Sequence, residues 1–533
     1  MHGSGRTAAP LGVGLSPAPT SSCGEFFALR HEARPNAPIT TSAKPFMATA
    51  SVYRLGLDVS RPRGNRRHIR TIKPPLGMTD PLNIPSQLPA PPSAFERVLT
   101  YVLRPFAKVE AGEAVNAALL TLTVFLLLTA YYLLKTAREP LILLHGGAEV
   151  KQYAAAGQAL LLVVVVNAYS ALARRVGRQT LIATVYLFFV SNLVIFAILA
   201  RANVVIGVPF FLWVGIFNMT AVSQFWSLAA DVYTPEQGKR LFAILGIGSS
   251  VGAVAGARVA KSLAPLGPAW LMGVAAVILV ACVGLFAWVG ARVGSPARGA
   301  DEAHHDEPLV HDHVARVLAR DKYLLLIAGL TLLLNWVRSN GDYLLDRTLL
   351  AALVDAKVHG ADPSTFVTSF KAEYFEWVNI TGVVLQLFVV SRVMSRFGVR
   401  TALLVLPAVA FLEYGTFLVA PILSIFLVAK VGESSLEYSL QNTARQALFL
   451  VSSRVEKYVG KTVVDTVVVR AGDALTAVVV WAGTRAALPT RAFATLNLVL
   501  IVVWITAVLA IGRENARRSA EGEERIAAEP LPS

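Results

Sequence analysis

Charged side chains occur inside stretches of this sequence that are otherwise apolar. Lys135, Arg138 and Glu139 follow an apolar run that begins near Ala114, and their spacing places them on one face of a helix. A charge at the centre of a bilayer costs at least about 2.5–3.5 kcal/mol, so such residues usually face a protein interior. We interpret the three residues as a cationic port for an anionic solute. A helix end whose side chains extend to the membrane surface is the alternative.

A second charged pattern lies in the counterpart of this helix in the other half of the chain. Arg338, Asp342 and Asp346 occupy successive fourth positions of an apolar segment. The spacing indicates either residues that face a solute site or ion pairs that only stabilise the helix.

The longest polar pattern is a stripe along the predicted tenth span. Its members recur at spacings of three or four: Lys430, Glu433, Glu437, Gln441 and Arg445. A solvated helix also shows a stripe, but apolar runs flank this one on both sides. We therefore expect the stripe to face a central cavity. The next span adds Asp465, Arg470 and Asp473.

These patterns predict a solute site near the middle of the membrane, lined by the first, seventh, tenth and eleventh spans. The candidate substrate-binding residues are Lys135, Arg138, Glu139, Arg338, Asp342, Lys430, Glu437, Arg445 and Arg470. Arginine suits bidentate contact with phosphate oxygens and lysine acts as a point charge. Glu437 and Asp342 would balance the cations when the site is empty.

The elements that position these residues follow from composition. The 533 residues are 55% hydrophobic and only 16% charged, with a mean hydropathy of +0.56. Soluble domains carry roughly 25% charged residues, so the sequence predicts an all-α integral membrane protein. The net charge of +15 comes from short segments between apolar runs and from the N-terminal tail, which argues against nucleic acid binding.

Twelve apolar stretches approach the length of about 20 residues that a spanning helix needs. We place them near Ala114–Leu134, Tyr153–Ala173, Thr180–Ala200, Val204–Trp226, Leu241–Ser262, Ala269–Val289, Tyr323–Leu345, Tyr374–Val393, Thr401–Val419, Ile422–Ala444, Val463–Gly483 and Ala492–Ile511. Similar basic turns follow the second and eighth spans and the fourth and tenth, so we expect two pseudo-symmetric six-helix bundles.

The predicted organisation is a tail at 1–95, bundles at 96–290 and 323–511, a linker at 291–322 and a disordered tail at 512–533. Lys and Arg crowd the segments after even-numbered spans, which places both termini in the cytoplasm, most simply of a bacterial plasma membrane. For the N-terminal tail three interpretations stay open: a misassigned start with Met78 as the true one, a disordered tail, or an organelle transit peptide.

Other motifs favour less specific roles. Gly248, Gly252 and Gly256 recur at four-residue spacing, which predicts close helix packing. The shorter Gly246-Ile-Gly248 lacks the strand and lysine of a nucleotide loop. The His-rich stretch at 301–313 has no second ligand group at fixed spacing, so we expect no metal and no cofactor. We also find no nucleophile and base arrangement and expect no enzyme.

Three stretches resemble the bacterial and plastid ATP/ADP translocases, a nucleotide transporter family related to the major facilitator fold. The first is Leu133-Leu-Lys-Thr-Ala-Arg-Glu139, and the second runs from Phe225-Trp226 through Glu236-Gln-Gly-Lys-Arg-Leu-Phe242 to Gly246-Ile-Gly248. The third runs from Glu437-Tyr-Ser-Leu440 through Arg445-Gln446 to Glu456-Lys-Tyr-Val-Gly-Lys461 and Val464-Asp465.

The chain departs from the family at charged positions. Arg138-Glu139 stands for Lys-Asp, Arg445-Gln446 stands for Lys-Glu, and the acid expected near Val214-Gly215 is missing. The resemblance implies a secondary transporter that works by alternating access and exchanges ATP, ADP or a related organic phosphate. The alternatives are a major facilitator carrier for another solute, coupled to protons through Glu413 or Glu437, and a membrane scaffold that transports nothing.

Overall fold

A computed structural model describes residues 94–103, 109–110, 112–293, 321–452 and 460–528. Residues 1–93 and most of the predicted linker lie outside the described residues, so the expectations for the tail stay predictions. The described residues form helices, and no strand occurs among them. Their order matches that of the predicted apolar stretches.

The N-terminal half consists of six helices. They are α1 (Ala94–Leu103), α2 (Ala114–Ala173), α3 (Arg178–Arg201), α4 (Gly207–Val232), α5 (Pro235–Leu263) and α6 (Pro268–Val293). The short α1 precedes the bundle, and α5 begins with a capping box in which Thr234 and Gln237 exchange hydrogen bonds.

The C-terminal half begins with α7 (Lys322–Val358), α8 (Pro363–Leu385) and α9 (Ser391–Val419). It continues with α10 (Leu423–Leu436), α11 (Asn442–Leu448), α12 (Lys461–Val463), α13 (Val469–Arg485) and α14 (Thr490–Ala528). Three π-helical turns, Gln386–Val390, Glu437–Gln441 and Val464–Val468, join consecutive helices without a loop.

Two of the long helices break at glycines. Gly147 in α2 and Gly398 in α9 have φ of 75° and 74°, a left-handed conformation that favours glycine. Among the described residues, eight helical stretches are long and apolar enough to cross a membrane, and two of them, Ala114–Ala173 and Pro363–Val419, contain 60 and 57 residues. A crossing needs about 20 residues, so each of these two could cross twice. The count of twelve spans stays a prediction.

The glycine stripe packs two helices together, as its spacing indicated. A Cβ on Gly252 would lie 2.3 Å from the carbonyl oxygen of Phe125 in α2, and one on Gly256 would lie 2.5 Å from that of Thr129. The Thr129 hydroxyl donates a 3.2 Å hydrogen bond to the Gly252 carbonyl. The absence of side chains lets α5 approach the α2 backbone directly.

The expectation of a disordered C-terminal tail was wrong for residues 512–528. The last helix, α14, continues to Ala528. Arg518 forms an ion pair of 2.7 Å with Asp321 at the start of α7, and the Asn515 amide donates to the Tyr323 hydroxyl at 2.7 Å. These contacts, together with ion pairs of Arg517 within the helix, stabilise the charged extension.

The predicted cytoplasmic segments of each half lie at one end of the helices, where ion pairs connect them. We call this end the basic end. Arg178 pairs with Asp231 at 2.8 Å, and Arg240 pairs with Glu113 at 2.9 Å. The Asp321 pair with α14 lies at the corresponding end of the C-terminal half. Which face of the membrane this end meets stays a prediction.

Candidate substrate site

A polar cavity of about 70 Å³ lies between the two halves. Its walls come from α2, α7, α8, α10 and the π turn that follows α10. The lining side chains are Tyr132, Lys135, Arg138, Glu139, Lys151, Gln152, Arg338, Ser339, Asp342, Lys371, Tyr374, Phe375, Val378, Asn379, Ser434 and Tyr438. Five of these side chains are cationic and two are carboxylates. Binding pockets for small molecules usually measure about 300–1,000 Å³, so the cavity in this conformation is smaller than a typical binding pocket.

Lys135 is a buried cation of the cavity lining that contacts aromatic rings. The structure places it inside α2, which continues beyond it to Gly147, and it is 7% exposed. It is therefore not a helix-end residue that extends to the membrane surface. Its amino group lies 4.2 Å from the ring centroid of Phe375 and 5.0 Å from that of Tyr132. No carboxylate of the described residues lies within ion-pair distance, so aromatic rings are its closest partners, and Glu139 and Asp342 act on it only at longer range.

Four buried side chains form an alternating ion cluster that joins the two halves. Lys151 lies 2.6 Å from Glu139 and 2.7 Å from Asp346. Lys371 hydrogen bonds to Asp346 and lies 3.8 Å from Glu139. Glu139 and Lys151 belong to α2, whereas Asp346 and Lys371 belong to α7 and α8. We call these four residues the inter-half cluster.

Arg138 lies beside this cluster and carries a partly free guanidinium. Its Nε hydrogen bonds to Glu139 at 3.1 Å, and its guanidinium carbon lies 4.5 Å from the ring centroid of Phe211. The side chain is 7% exposed and lines the cavity. Stacking on one ring and one hydrogen bond leave the outer N–H groups able to bind oxygen atoms of a solute.

A second network occupies the C-terminal wall. Arg338 lies 3.3 Å from Glu437 and 3.7 Å from Asp342, and Lys430 lies 3.7 Å from Asp342. Lys430 is completely buried and hydrogen bonds to Glu433. Gly341 makes room for it, because a Cβ there would lie 2.6 Å from the lysine nitrogen.

Further contacts between the halves lie toward the end opposite the basic end. Arg258 pairs with Glu376 and Lys261 with Glu373, both at 2.8 Å, and the Thr365 hydroxyl donates to the Ala264 carbonyl. Nearer the cavity, the Tyr132 hydroxyl donates to Asn379 at 2.9 Å. The contacts of Arg258, Lys261 and Thr365 lie between the cavity and that end.

The structure places two predicted candidates away from the cavity. Arg445 follows the π turn at Glu437–Gln441 and lies nearer the basic end. There it pairs with Asp465 at 2.8 Å. Arg470 pairs with Asp473, which accepts a 2.7 Å hydrogen bond from Ser339. Arg470 is thus one residue removed from the lining. Glu437 and Lys430 contact the lining through Arg338 and Asp342.

Sequence reasoning missed the cations Lys151 and Lys371 and the polar residues Asn379 and Ser434. The predicted second and eighth spans begin at Tyr153 and Tyr374, so both lysines were assigned to helix ends. The helices are longer than the minimum for a crossing: α8 begins at Pro363, and α2 runs through its kink without a loop. The lysines therefore lie within the bundle. The sequence signal for buried cationic partners was a pair of carboxylates. Glu139 and Asp346 lie at helical spacing from predicted site residues.

Comparison with known proteins gives one relative by sequence. The chain is 22% identical over 351 residues to ADP,ATP carrier protein 1 of Chlamydia pneumoniae, across 57% of this chain and 66% of the carrier. The match therefore spans slightly less than two thirds of the carrier's length. None of the protein-family models compared matches the sequence.

Solved structures of membrane transporters share the fold. The nucleoside transporter NupG aligns with a TM-score of 0.54 at 12% identity, covering 74% of this chain and 99% of NupG. An auto-inhibited POT family peptide transporter gives 0.54 at 13% identity, covering 75% and 96%. A D-xylose–proton symporter gives 0.50 at 13% identity, covering 74% and 97%. The chain is a multi-pass membrane protein with the all-α, major-facilitator-like fold of these transporters.

Proposed function

We propose that the protein is a secondary transporter that moves a nucleotide or related organic phosphate by alternating access, as an exchanger and not an enzyme. The observation that carries the proposal is the burial of Lys135 beside aromatic rings, with no carboxylate of the described residues within ion-pair distance. A buried ammonium without a carboxylate partner is costly unless another anion reaches it. The cavity that it lines lies between the two halves, where alternating access requires the solute.

The rest of the lining has the chemistry of such a solute. Arg138, Lys151 and Lys371 surround the space next to Lys135, and phosphate oxygens form strong hydrogen bonds with these groups. The rings of Tyr132 and Phe375 lie beside the cations and could stack on a planar base. The sequence likeness to an ADP,ATP carrier supports the same class of solute. We propose the predicted orientation as well, with both termini in the cytoplasm of a bacterial plasma membrane.

Nucleotide exchange by purified protein in lipid vesicles tests the proposal. Vesicles preloaded with unlabelled ADP should take up labelled ATP, and excess unlabelled ATP outside should suppress the uptake. The Lys135→Gln variant should lower the initial rate about tenfold or more, because a hydrogen bond to a charged group contributes about 1.5–3 kcal/mol. Lys357→Gln, an exposed lysine at the end of α7, is the matched control and should leave the rate unchanged.

A variant of Arg138 tests whether the site uses the charge of this side chain or its planar geometry. Arg138→Lys should retain part of the uptake if charge alone is used and little if the planar guanidinium is needed. Wild-type vesicles that exchange no nucleotide but accumulate another organic anion would overturn the nucleotide class. Undiminished ATP exchange in Lys135→Gln would remove this lysine from the site.

The scaffold alternative is weaker on physical grounds. A membrane scaffold has no reason to carry the cost of five cationic side chains, Lys135 among them, around an internal space. A scaffold would also show no rise in thermal stability with any solute, whereas a ligand that binds only the native state must raise it. The proton-coupled alternative has a specific observation in its favour, the burial of Glu413.

A further inference from the structure

Glu413 is a buried carboxyl group on α9 that the proposed solute site does not use. It is 2% exposed, and neither of its carboxyl oxygens has a hydrogen-bond partner among the described residues. Its chain atoms line an apolar cleft of about 500 Å³ on the outer side of α9 and α10. A carboxylate ion in this position would lack both water and donors.

The charged groups that face Glu413 come from two other helices. They are Lys430 and Glu433 of α10 and Asp342 of α7, with the phenol of Tyr414 next to it on α9. Lys430 hydrogen bonds to Glu433 and lies 3.7 Å from Asp342. The carboxyl groups of Glu413, Glu433 and Asp342 thus surround the ammonium group of Lys430.

Arg338, the next cation along α7, is not among the charged groups that act on Glu413. Arg338 lies 3.7 Å from Asp342 but also 3.3 Å from Glu437, a fourth carboxyl group. Asp342 also faces cations of the cavity, among them Lys151 and Lys371, so the carboxyl group of this set left without a partner among the described residues is Glu413. A buried carboxylate without a donor or a counter-ion is so costly that it neutralises by binding a proton.

We propose that Glu413 and Glu433, with Lys430 between the site and the cavity, form a proton-binding site that couples solute movement to a proton. The proton site stands on this geometry alone, whereas its coupling to transport rests on the proposed function. Glu413 holds one proton in the conformation described here, and Glu433 is ionised against Lys430.

Lys430 connects the proton site to the solute. Asp342 lines the cavity, and its side chain is 32% exposed, so a solute anion beside it draws the Lys430 ammonium toward the cavity. Glu433 then loses its counter-ion and binds a second proton from cavity water. When the solute leaves, Lys430 returns and this proton is released. One proton therefore moves in the same direction as each solute molecule.

Infrared spectroscopy tests the proton site without reference to any solute. Protein labelled with ¹³C at glutamate carboxyl groups should show the C=O stretch of a protonated carboxylic acid at neutral pH, shifted by the label. The Glu413→Gln variant should lose that band, because glutamine has the shape of the neutral acid but no proton to give. Asp231→Asn, an exposed member of an ion pair at the basic end, should keep it. A spectrum in which the two variants and the wild type are alike would overturn the site.

Vesicle uptake tests the coupling. With one proton per solute, the carrier can also move ATP without a counter-solute, and an inward acid gradient of about one pH unit should raise net ATP accumulation in empty vesicles by up to about tenfold. Glu433→Gln should abolish this response and still exchange ATP for preloaded ADP, because exchange moves protons equally in both directions. An unchanged gradient response in Glu433→Gln overturns the coupling. Wild-type net uptake that ignores the gradient overturns it too, and ATP–ADP exchange by the same protein leaves the proposed function standing. Absence of any nucleotide exchange refutes the proposed function instead, and the infrared result alone then decides the proton site.

Discussion

At the scale of single residues, lysine side chains have different roles at different positions in the fold. Lys135 is held by aromatic rings and is free to meet an anion, whereas Lys430 is buried against Glu433. Lys261, near the end opposite the basic end, is half-exposed and pairs with Glu373. Exposed pairs of that kind contribute about 0–1 kcal/mol, so they cannot decide the function.

Glu113, just before α2, shows how one carboxyl group outside the membrane spans can fasten two helices. Its oxygens accept hydrogen bonds from Arg240 at 2.9 and 3.2 Å, from the Gln237 amide at 3.0 Å and from the Glu110 N–H at 2.9 Å. Burial opposes its ionisation, but these donors outweigh burial and hold the pKa of the Glu113 carboxyl below its usual value of 4.5.

This depressed pKa predicts a pH-dependent stability. A group whose pKa is lower in the folded state contributes stability above its unfolded pKa, and the contribution is lost as pH falls through the folded value. The stability lost in Glu113→Gln should therefore be largest at neutral pH and shrink below about pH 4. Thermal unfolding in detergent at several pH values measures it. Arg240→Gln should give a similar loss, and the double variant should be no worse than either single one. A loss that is independent of pH would contradict this role for Glu113.

At the scale of elements, close backbone contact between α5 and α2 holds the first helix of the site in place. Lys135 and Arg138 lie on α2 shortly after Phe125 and Thr129, where the glycine stripe of α5 packs. Displacement of α5 would therefore shift the two site residues as well.

Gly252→Leu tests this packing. The new side chain would collide with the Phe125 carbonyl oxygen, from which a Cβ would be only 2.3 Å away. Overpacking of this kind costs about 1–3 kcal/mol, so the unfolding midpoint should fall and nucleotide exchange with it. Gly273→Leu on α6 is the control, because nothing lies within 4 Å of a Cβ there. Equal stability of the two variants would mean that α5 and α2 do not depend on the glycine contact.

At the scale of the whole molecule, the inter-half cluster must separate whenever the end opposite the basic end opens. Glu139 and Lys151 move with one half, and Asp346 and Lys371 move with the other. Removal of one partner of a buried pair is costly because it leaves an uncompensated charge. A charge-balanced change therefore isolates the effect on conformation.

The double variant Asp346→Asn, Lys371→Gln removes one charge of each sign and leaves Glu139 paired with Lys151. We expect it to populate the conformation that is open at that end. Spin labels at Leu266 and His359, exposed residues of opposite halves near that end, should report an added longer distance. The control Lys261→Gln, Glu373→Gln removes a half-exposed pair and should leave the distances unchanged. Identical distance distributions for the two double variants would exclude the cluster as the closing element.

The sequence alone determined the fold class, the order of the helices, the packing role of the glycine stripe and five residues that line the cavity. Lys135, Arg138, Glu139, Arg338 and Asp342 were predicted and line the cavity. These inferences succeed because the membrane permits few arrangements: apolar runs must be helical, and charges within them must face inward.

Only the tertiary structure decided which charges meet. Lys151 and Lys371 could not be placed from the sequence, because predicted spans of minimal length put them at helix ends and both pair with Asp346 of another helix. Arg445 lies outside the cavity lining, beyond a π turn for which periodicity carries no signal. Local spacing fixes the face of a helix, but the pairing of charges depends on how helices distant in sequence pack, which spacing alone does not encode.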